Sequence, residues 1–166
     1  MTEYVLGFAF CRDYAGFQRV LLIRKTKPTW QAGLLNGVGG KIENSDFTPH
    51  RAMSREFREE TGLDTLPAAW TKFAVMEFPE SRVHTFVTWF EWKVFKKARS
   101  TTGEKLEDYQ VDLQFIQKMK DHEALPNLVW LIPMSLAVWC SGAWDFPVLQ
   151  IFEGHRDGKY SKEGLS

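Results

Sequence analysis

The stretch Arg55-Glu56-Phe57-Arg58-Glu59-Glu60-Thr61-Gly62-Leu63 concentrates more chemistry than any other in this 166-residue chain. On a helix, Glu56, Glu59 and Glu60 are related by i+3 and i+4 and share one face. At about 100° per residue, they span an arc of roughly 100°. Ala52 and Met53 project from the same arc one turn earlier, so the carboxylates continue a face that should pack inward, while Arg51, Arg55 and Arg58 point elsewhere. Like charges at that spacing repel unless something positive lies among them. Clustered oxygen ligands suit a hard cation, Mg²⁺ above all, which keeps waters and substrate phosphates as its remaining ligands. The plainer alternative is a solvated helix face laced by Arg55–Glu59 pairing. Upstream, the Gly39-Gly40 pair lets backbone groups approach a ligand closely. Lys41 adds a point charge for an anionic substrate.

These residues need a helix behind a loop, and the flanking sequence supplies both. Thr48 offers an N-cap, Pro49 suits the first helical position and Gly62 a stop, framing a helix over 49–61. Lys25 to Lys41, with Pro28 and a run of glycines, reads as loop. Tyr4 to Phe10 and Arg19 to Arg24 read as strands around a turn at Asp13 to Gly16. Phe73 to Phe78 and Val83 to Phe95 form a second pair, joined by Pro79-Glu80-Ser81. Lys97 to Asp108 is polar and loop-like, Val111 to Ile116 reads as a strand, Asn127 to Trp139 as a helix with Pro133 at a start or kink, and Pro147 to Phe152 as a last strand. The pattern predicts an α/β fold with a mixed β-sheet covered on both faces by helices. One domain over 1–153 and a flexible tail over 154–166 are expected.

Bulk composition narrows the partners. Twenty-one basic residues balance 21 acidic ones. A nucleic-acid polymer held by non-specific phosphate neutralisation would call for a basic excess, so any phosphate affinity must be local. The longest apolar stretch, Leu128 to Trp139, is broken by Pro133 and Ser135 and too short to cross a bilayer. The first residues lack the positive segment of a signal peptide, so a cytoplasmic protein is expected. Cys11 and Cys140 sit in apolar surroundings and read as small buried hydrophobes. His84 reads as structural or pocket-lining; His50, His122 and His155 read as exposed.

Gly40 through Leu63 resembles the Nudix box, G-x5-E-x7-R-E-U-x-E-E-x-G-U with U a bulky apolar residue. Arg55 to Leu63 matches each specified position. The first half begins as Gly40-Lys41-Ile42-Glu43 but carries Asp46 where the family has glutamate, and eight residues rather than seven separate Asp46 from Arg55. We read a one-residue insertion near Phe47, where a loop absorbs it cheaply. The resemblance implies an α/β/α sandwich and metal-dependent hydrolysis of nucleoside diphosphate-linked compounds. It makes Glu56, Glu59 and Glu60 ligands of Mg²⁺ (or Mn²⁺), with the Gly39 carbonyl as an extra ligand and Arg55 orienting Glu59. The general base is a box glutamate or one from a later loop, where Glu104 and Glu107 are the candidates. Glu43 and Asp46 are either orienters or solvated.

Leu35 to Lys41 also resembles the segment before the box in members that remove oxidised purine nucleoside triphosphates, where Asn36 would contact the base; Asn-Gly is equally a turn former. Trp30, Trp130 and Trp139 are candidate stacking residues and Phe8 and Phe10 candidate pocket walls, although aromatics at such positions are more often core. Asn127 to Pro133 is similar to a C-terminal segment that lines the nucleotide site in bacterial members. The expected reaction converts a nucleoside triphosphate to monophosphate and pyrophosphate. ADP-ribose, a dinucleotide polyphosphate or NADH is the alternative substrate, and a non-catalytic nucleotide-binding module the alternative class. Seven tryptophans leave room for a homodimer surface.

Overall fold

The computed structural model describes residues 1–119, 124–141 and 148–152. The expected tail over 154–166, and His122 and His155, lie outside them. Strands β1 (Thr2–Arg12) and β2 (Gln18–Arg24) form an antiparallel hairpin, closed by Asp13, whose carboxylate accepts from the Ala15 and Phe17 amides. Strand β3 (Leu35–Asn36) and helix α1 (Pro49–Thr61) follow. Strands β4 (Thr71–Glu77) and β5 (Ser81–Glu91), helix α2 (Trp92–Phe95), strand β6 (Lys105–Gln110), helices α3 (Leu113–Lys118) and α4 (Leu128–Cys140), and strand β7 (Leu149–Phe152) complete the described chain.

All seven strands join one mixed sheet in the order β3-β2-β1-β5-β4-β7, with β6 on β2. β1 runs parallel to β5 and β4 parallel to β7; the other pairs are antiparallel. Alternation along the strands splits the apolar side chains between two cores. Val5, Ala9, Leu21 and Phe86 pack beneath α1 with Ala52, Met53 and Phe57. Leu6, Phe8, Phe10, Leu22 and Val87 pack beneath α4 with Leu128, Leu131 and Ile132. Helices therefore cover both faces, giving the predicted three-layer α/β architecture.

Helix α1 has its expected boundaries. The Thr48 side chain accepts from the Arg51 amide, Pro49 takes the first turn, and Gly62 ends the helix at φ 70° in the left-handed region. A cap of this kind contributes about 1 kcal/mol, and glycine removes the Cβ penalty at the stop. Phe57 anchors the helix, edge-on to Trp70 at 5.1 Å and stacked on Phe90 at 5.5 Å.

Three predicted elements differ. Val111–Ile116 is not a strand: Asp112 accepts from the Phe115 amide at 2.7 Å and starts α3. The cap overrides the β-branched residues beside it. The predicted loop over 97–108 instead enters β6, which pairs with β2 from Lys105 to Gln110. Its polar residues are matched across strands, Glu107 with Arg24 and Asp108 with Arg19, so charge pairing replaces the apolar alternation of an ordinary strand. The strand expected over 83–95 ends at Glu91, where α2 begins. Pro133 lies inside α4. Cys140, at the last position of α4, is exposed, contrary to expectation, whereas Cys11 is buried and its thiol is pushed up to about 12 by that burial. His50 is half-buried, its ring edge-on to Phe86 at 4.9 Å, rather than exposed.

Candidate active site

The glycine loop is wedged beside the first half of β1. Val5 donates to the Gly40 carbonyl and Gly7 to that of Val38, while Ile42 donates to Glu3. The peptide at Gly39 then faces α1, and its amide donates to Glu60 Oε2 at 2.9 Å. A side chain at Gly39 would meet backbone, and one at Gly40 would displace the Glu56 carboxylate. A Cβ on Gly39 would strike the Val5 carbonyl, and one on Gly40 would come within 2.5 Å of Glu56 Oε2. Both glycines let backbone and carboxylates meet.

Glu60 is only 6% exposed. Burial pushes its carboxyl up to about 7, against the opposing pull of Lys25 and the Gly39 amide. Lys25, which follows β2, bridges Glu60 Oε1 at 3.2 Å and Glu104 Oε2 at 2.9 Å. Glu104 precedes β6 and is buried as well; its Oε1 accepts from the Thr26 amide and hydroxyl. Burial tends to raise the Glu104 carboxyl, but the Thr26 and Lys25 contacts outweigh it and hold the group below the usual carboxylate range.

Strand alternation decides which later glutamate arrives. Leu21 and Leu106 pack on the α1 side, so Lys25 and Glu104 share that face. Leu22 and Tyr109 pack on the α4 side, and Glu107 goes with them. There Glu107 accepts from Arg24 at 2.8 Å and from the Tyr109 hydroxyl, which holds it down to about 2. Of the two candidates, only Glu104 joins the glutamates of α1.

Arg55 starts outside the glutamate arc, but its long side chain folds back over it. Its guanidinium bonds both oxygens of Asp46, at 2.8 and 2.9 Å, and the Lys41 carbonyl. It also lies 3.0 Å from Glu56 and 2.9 Å from Glu59. The Arg55–Glu59 pair of the plain surface reading is present and Glu59 is exposed, but Glu60 is buried and Glu56 half-buried, so the face as a whole is not solvated. The clamp holds the Asp46 carboxyl below its ordinary range. Asp46 Oδ2 also accepts from the Glu43 amide, and Glu43 is itself exposed.

The extra residue is accommodated next door. Phe47 is 81% exposed at φ 60°, a left-handed conformation unusual for a large side chain, with Arg51 lying 5.8 Å from its ring centroid. The bulge lets Asp46 reach Arg55 without rotating α1.

Other expected residues scatter more widely. The Lys41 side chain is exposed. Asn36 spends its oxygen on the Gly37 amide, and its Nδ2 lies 3.4 Å from Gln31. Trp130 is part-exposed on α4, across the sheet from the carboxylates. Trp30 is exposed, Trp139 stacks on Trp89 at 5.9 Å, and Phe8 and Phe10 are fully buried core. His84 is buried 3.7 Å from Glu3, with no hydrogen bond at either ring nitrogen among the described residues. Sequence reasoning missed one participant: Lys25 carried no local signal. Asn127, one turn before Trp130, has a buried carboxamide oxygen without a donor among the described residues.

Among the described residues no three His, Cys, Asp or Glu side chains converge as a metal cluster. Glu56 and Glu59 are drawn to Arg55, and Glu60 to Lys25 and Gly39. The donor set still fits a hard divalent ion: it is all oxygen, and five carboxylates, Asp46, Glu56, Glu59, Glu60 and Glu104, share the two cations Arg55 and Lys25.

The sequence matches the model of the NUDIX domain over residues 5–129. The chain therefore belongs to the Nudix family, whose enzymes generally use divalent metals. No curated protein matches it. Solved structures share its fold at low identity. The NUDIX domain of Shewanella oneidensis NrtR, complexed with ADP ribose, superposes with TM-score 0.66 at 12% identity over 82% of this chain and 87% of that one. A Caenorhabditis elegans Ap4A hydrolase gives TM-score 0.61 at 13% identity over 86% and 99%. A MutT/nudix family protein from Enterococcus faecalis gives 0.58 at 14% over 66% of this chain, which spans only 43% of that protein's length. No helix among the described residues is long and apolar enough to cross a membrane.

Proposed function

We propose that this protein hydrolyses a nucleoside triphosphate to monophosphate and pyrophosphate in a reaction that depends on Mg²⁺, with Mn²⁺ able to replace it. The observation that carries the reading is Glu60: a buried carboxylate facing a glycine amide, with Glu56 and Glu59 on the same helix face. Glu56, Glu59, Glu60 and the Gly39 carbonyl would hold the ion. Once bound, it withdraws charge from the phosphates and makes water more acidic.

The chain's own residues do the rest. Arg55, anchored on Asp46, fixes the direction of Glu59. Glu104 stays ionised and takes the proton of the attacking water as the new P–O bond forms and the anhydride P–O bond breaks, the pyrophosphate leaving with the bonding pair. Lys41 and the Gly39-Gly40 backbone face the phosphates. Asn36, with Asn127 and Trp130 at the start of α4, would meet a purine base (oxidised purines included), because the Leu35 carbonyl accepts from Leu125 and ties β3 to that helix end. The fold shared with an ADP-ribose complex and an Ap4A hydrolase favours those larger compounds as a second reading.

A panel of nucleoside triphosphates, ADP-ribose and dinucleotide polyphosphates, assayed for phosphorus products with and without Mg²⁺, tests the proposal. Metal-dependent pyrophosphate release from triphosphates supports it. Turnover of the larger compounds alone replaces it with the second reading, and no turnover of any compound overturns both.

A further inference from the structure

Glu60 and Glu104 come from different elements, 44 positions apart in sequence, and both are buried. The cation between them is Lys25. Its ammonium lies 3.2 Å from Glu60 Oε1 and 2.9 Å from Glu104 Oε2, and its side chain is 14% exposed. The other oxygen of each acid is already engaged: Glu60 Oε2 by the Gly39 amide, and Glu104 Oε1 by the Thr26 amide and hydroxyl. Each carboxylate oxygen keeps a second lone pair, but a cation brought to Glu60 meets the Lys25 ammonium already seated on that carboxylate. An ammonium and a divalent ion cannot share it without like-charge repulsion. Lysine suits such an exchange, being a compact charge on a flexible stem with three rotatable donors, whereas arginine presents a rigid fork.

We propose that Lys25 is a positioning residue that competes with the metal ion. In the metal-free chain its ammonium is the internal counter-ion of Glu60 and Glu104. When a divalent cation takes Glu60, Lys25 gives up that carboxylate and stays with Glu104, holding it beside the occupied site. The inference rests on the reading of Glu60 as a metal ligand. Two consequences follow. Removing the ammonium leaves two buried carboxylates without their shared counter-charge, which weakens the metal-free fold and strengthens its attraction for a cation. Replacing it by a guanidinium keeps the charge but resists release.

Mn²⁺ titration with calorimetry or electron paramagnetic resonance, paired with melting curves of metal-free and Mn²⁺-saturated protein, tests this. Lys25→Met should lower the metal-free melting temperature, bind Mn²⁺ at least fivefold more tightly, and show a larger stabilisation by Mn²⁺ than wild type. Lys25→Arg should melt near wild type without metal and bind Mn²⁺ at least fivefold more weakly; this variant decides the matter if Lys25→Met does not fold. Unchanged Mn²⁺ affinity in the folded variants, with wild-type binding abolished by Glu60→Gln, overturns the competition while leaving Glu60 a ligand. Wild-type affinity in Glu60→Gln itself overturns the ligand reading instead.

Discussion

Helices α1 and α4 have the same length, 13 residues, and cover opposite faces of one sheet, yet they are built on different physics. α1 is capped at both ends, pinned by Phe57, and clamped through Arg55 and Asp46 to the loop before it. α4 is almost wholly apolar, has no side-chain cap at its start, and carries Pro133 inside it. The first is specified by hydrogen bonds and charge, so its orientation about its own axis is defined, as a set of ligands requires. The second is held by burial, which is non-directional and tolerates an imperfect helix. A face that does chemistry needs the first kind of support; a face that only closes a core can use the second.

Perturbing the chemistry of α1 should give the largest effect. Glu60→Gln should lower turnover on the order of a thousandfold, the several kcal/mol that a bound cation contributes to phosphoryl chemistry, with the circular dichroism spectrum unchanged. The anchors come next. Phe57→Ala under α1 should cost about 3–5 kcal/mol and Leu131→Ala under α4 about 2–5 kcal/mol in denaturant melts. Only the α1 variant should also reduce turnover in the molecules that remain folded, and equal losses at both sites would dissolve the contrast.

Asp46→Ala leaves Arg55 without its buried partner and should cost about 3 kcal/mol, with a fall in kcat rather than in substrate affinity. At the helix starts, Thr48→Ala should cost about 1 kcal/mol. Asn127→Ala should cost nothing measurable in stability, because its side chain caps nothing, its carboxamide oxygen has no donor among the described residues, and its Nδ2 makes only a 4.0 Å contact to Met76 Sδ. A further effect is expected in acid. Asp46 and Glu107 both have depressed folded-state values, Asp46 through Arg55 and Glu107, at about 2, through Arg24. A depressed carboxyl adds stability that is present above its unfolded value and lost as pH falls toward the folded one. Stability should therefore decline below about pH 4.5, the ordinary value for glutamate, and Asp46→Asn should flatten part of that decline.

Much of α1 was legible in sequence because its determinants are local. Thr48, Pro49 and Gly62 act on backbone groups within a turn, and the glutamate spacing follows from helix geometry alone. β6 was not legible, because its strand character depends on Arg19 and Arg24 across the sheet rather than on its own pattern. α3 was misread for the opposite reason: one local cap at Asp112 outweighed a β-prone composition.

The identities and spacing of the metal-ligand candidates, and the side of α1 they occupy, were determined by the chain's own order, since residues three and four apart on a helix cannot avoid one another. That Glu104 joins them while Glu107 does not was decided only on folding. Lys25 and Glu104 are 79 positions apart, and which face of the sheet each side chain takes depends on the register of β2 against β6. A slip of one residue in that pairing would exchange the two glutamates, and no local interaction in the unfolded chain can set it.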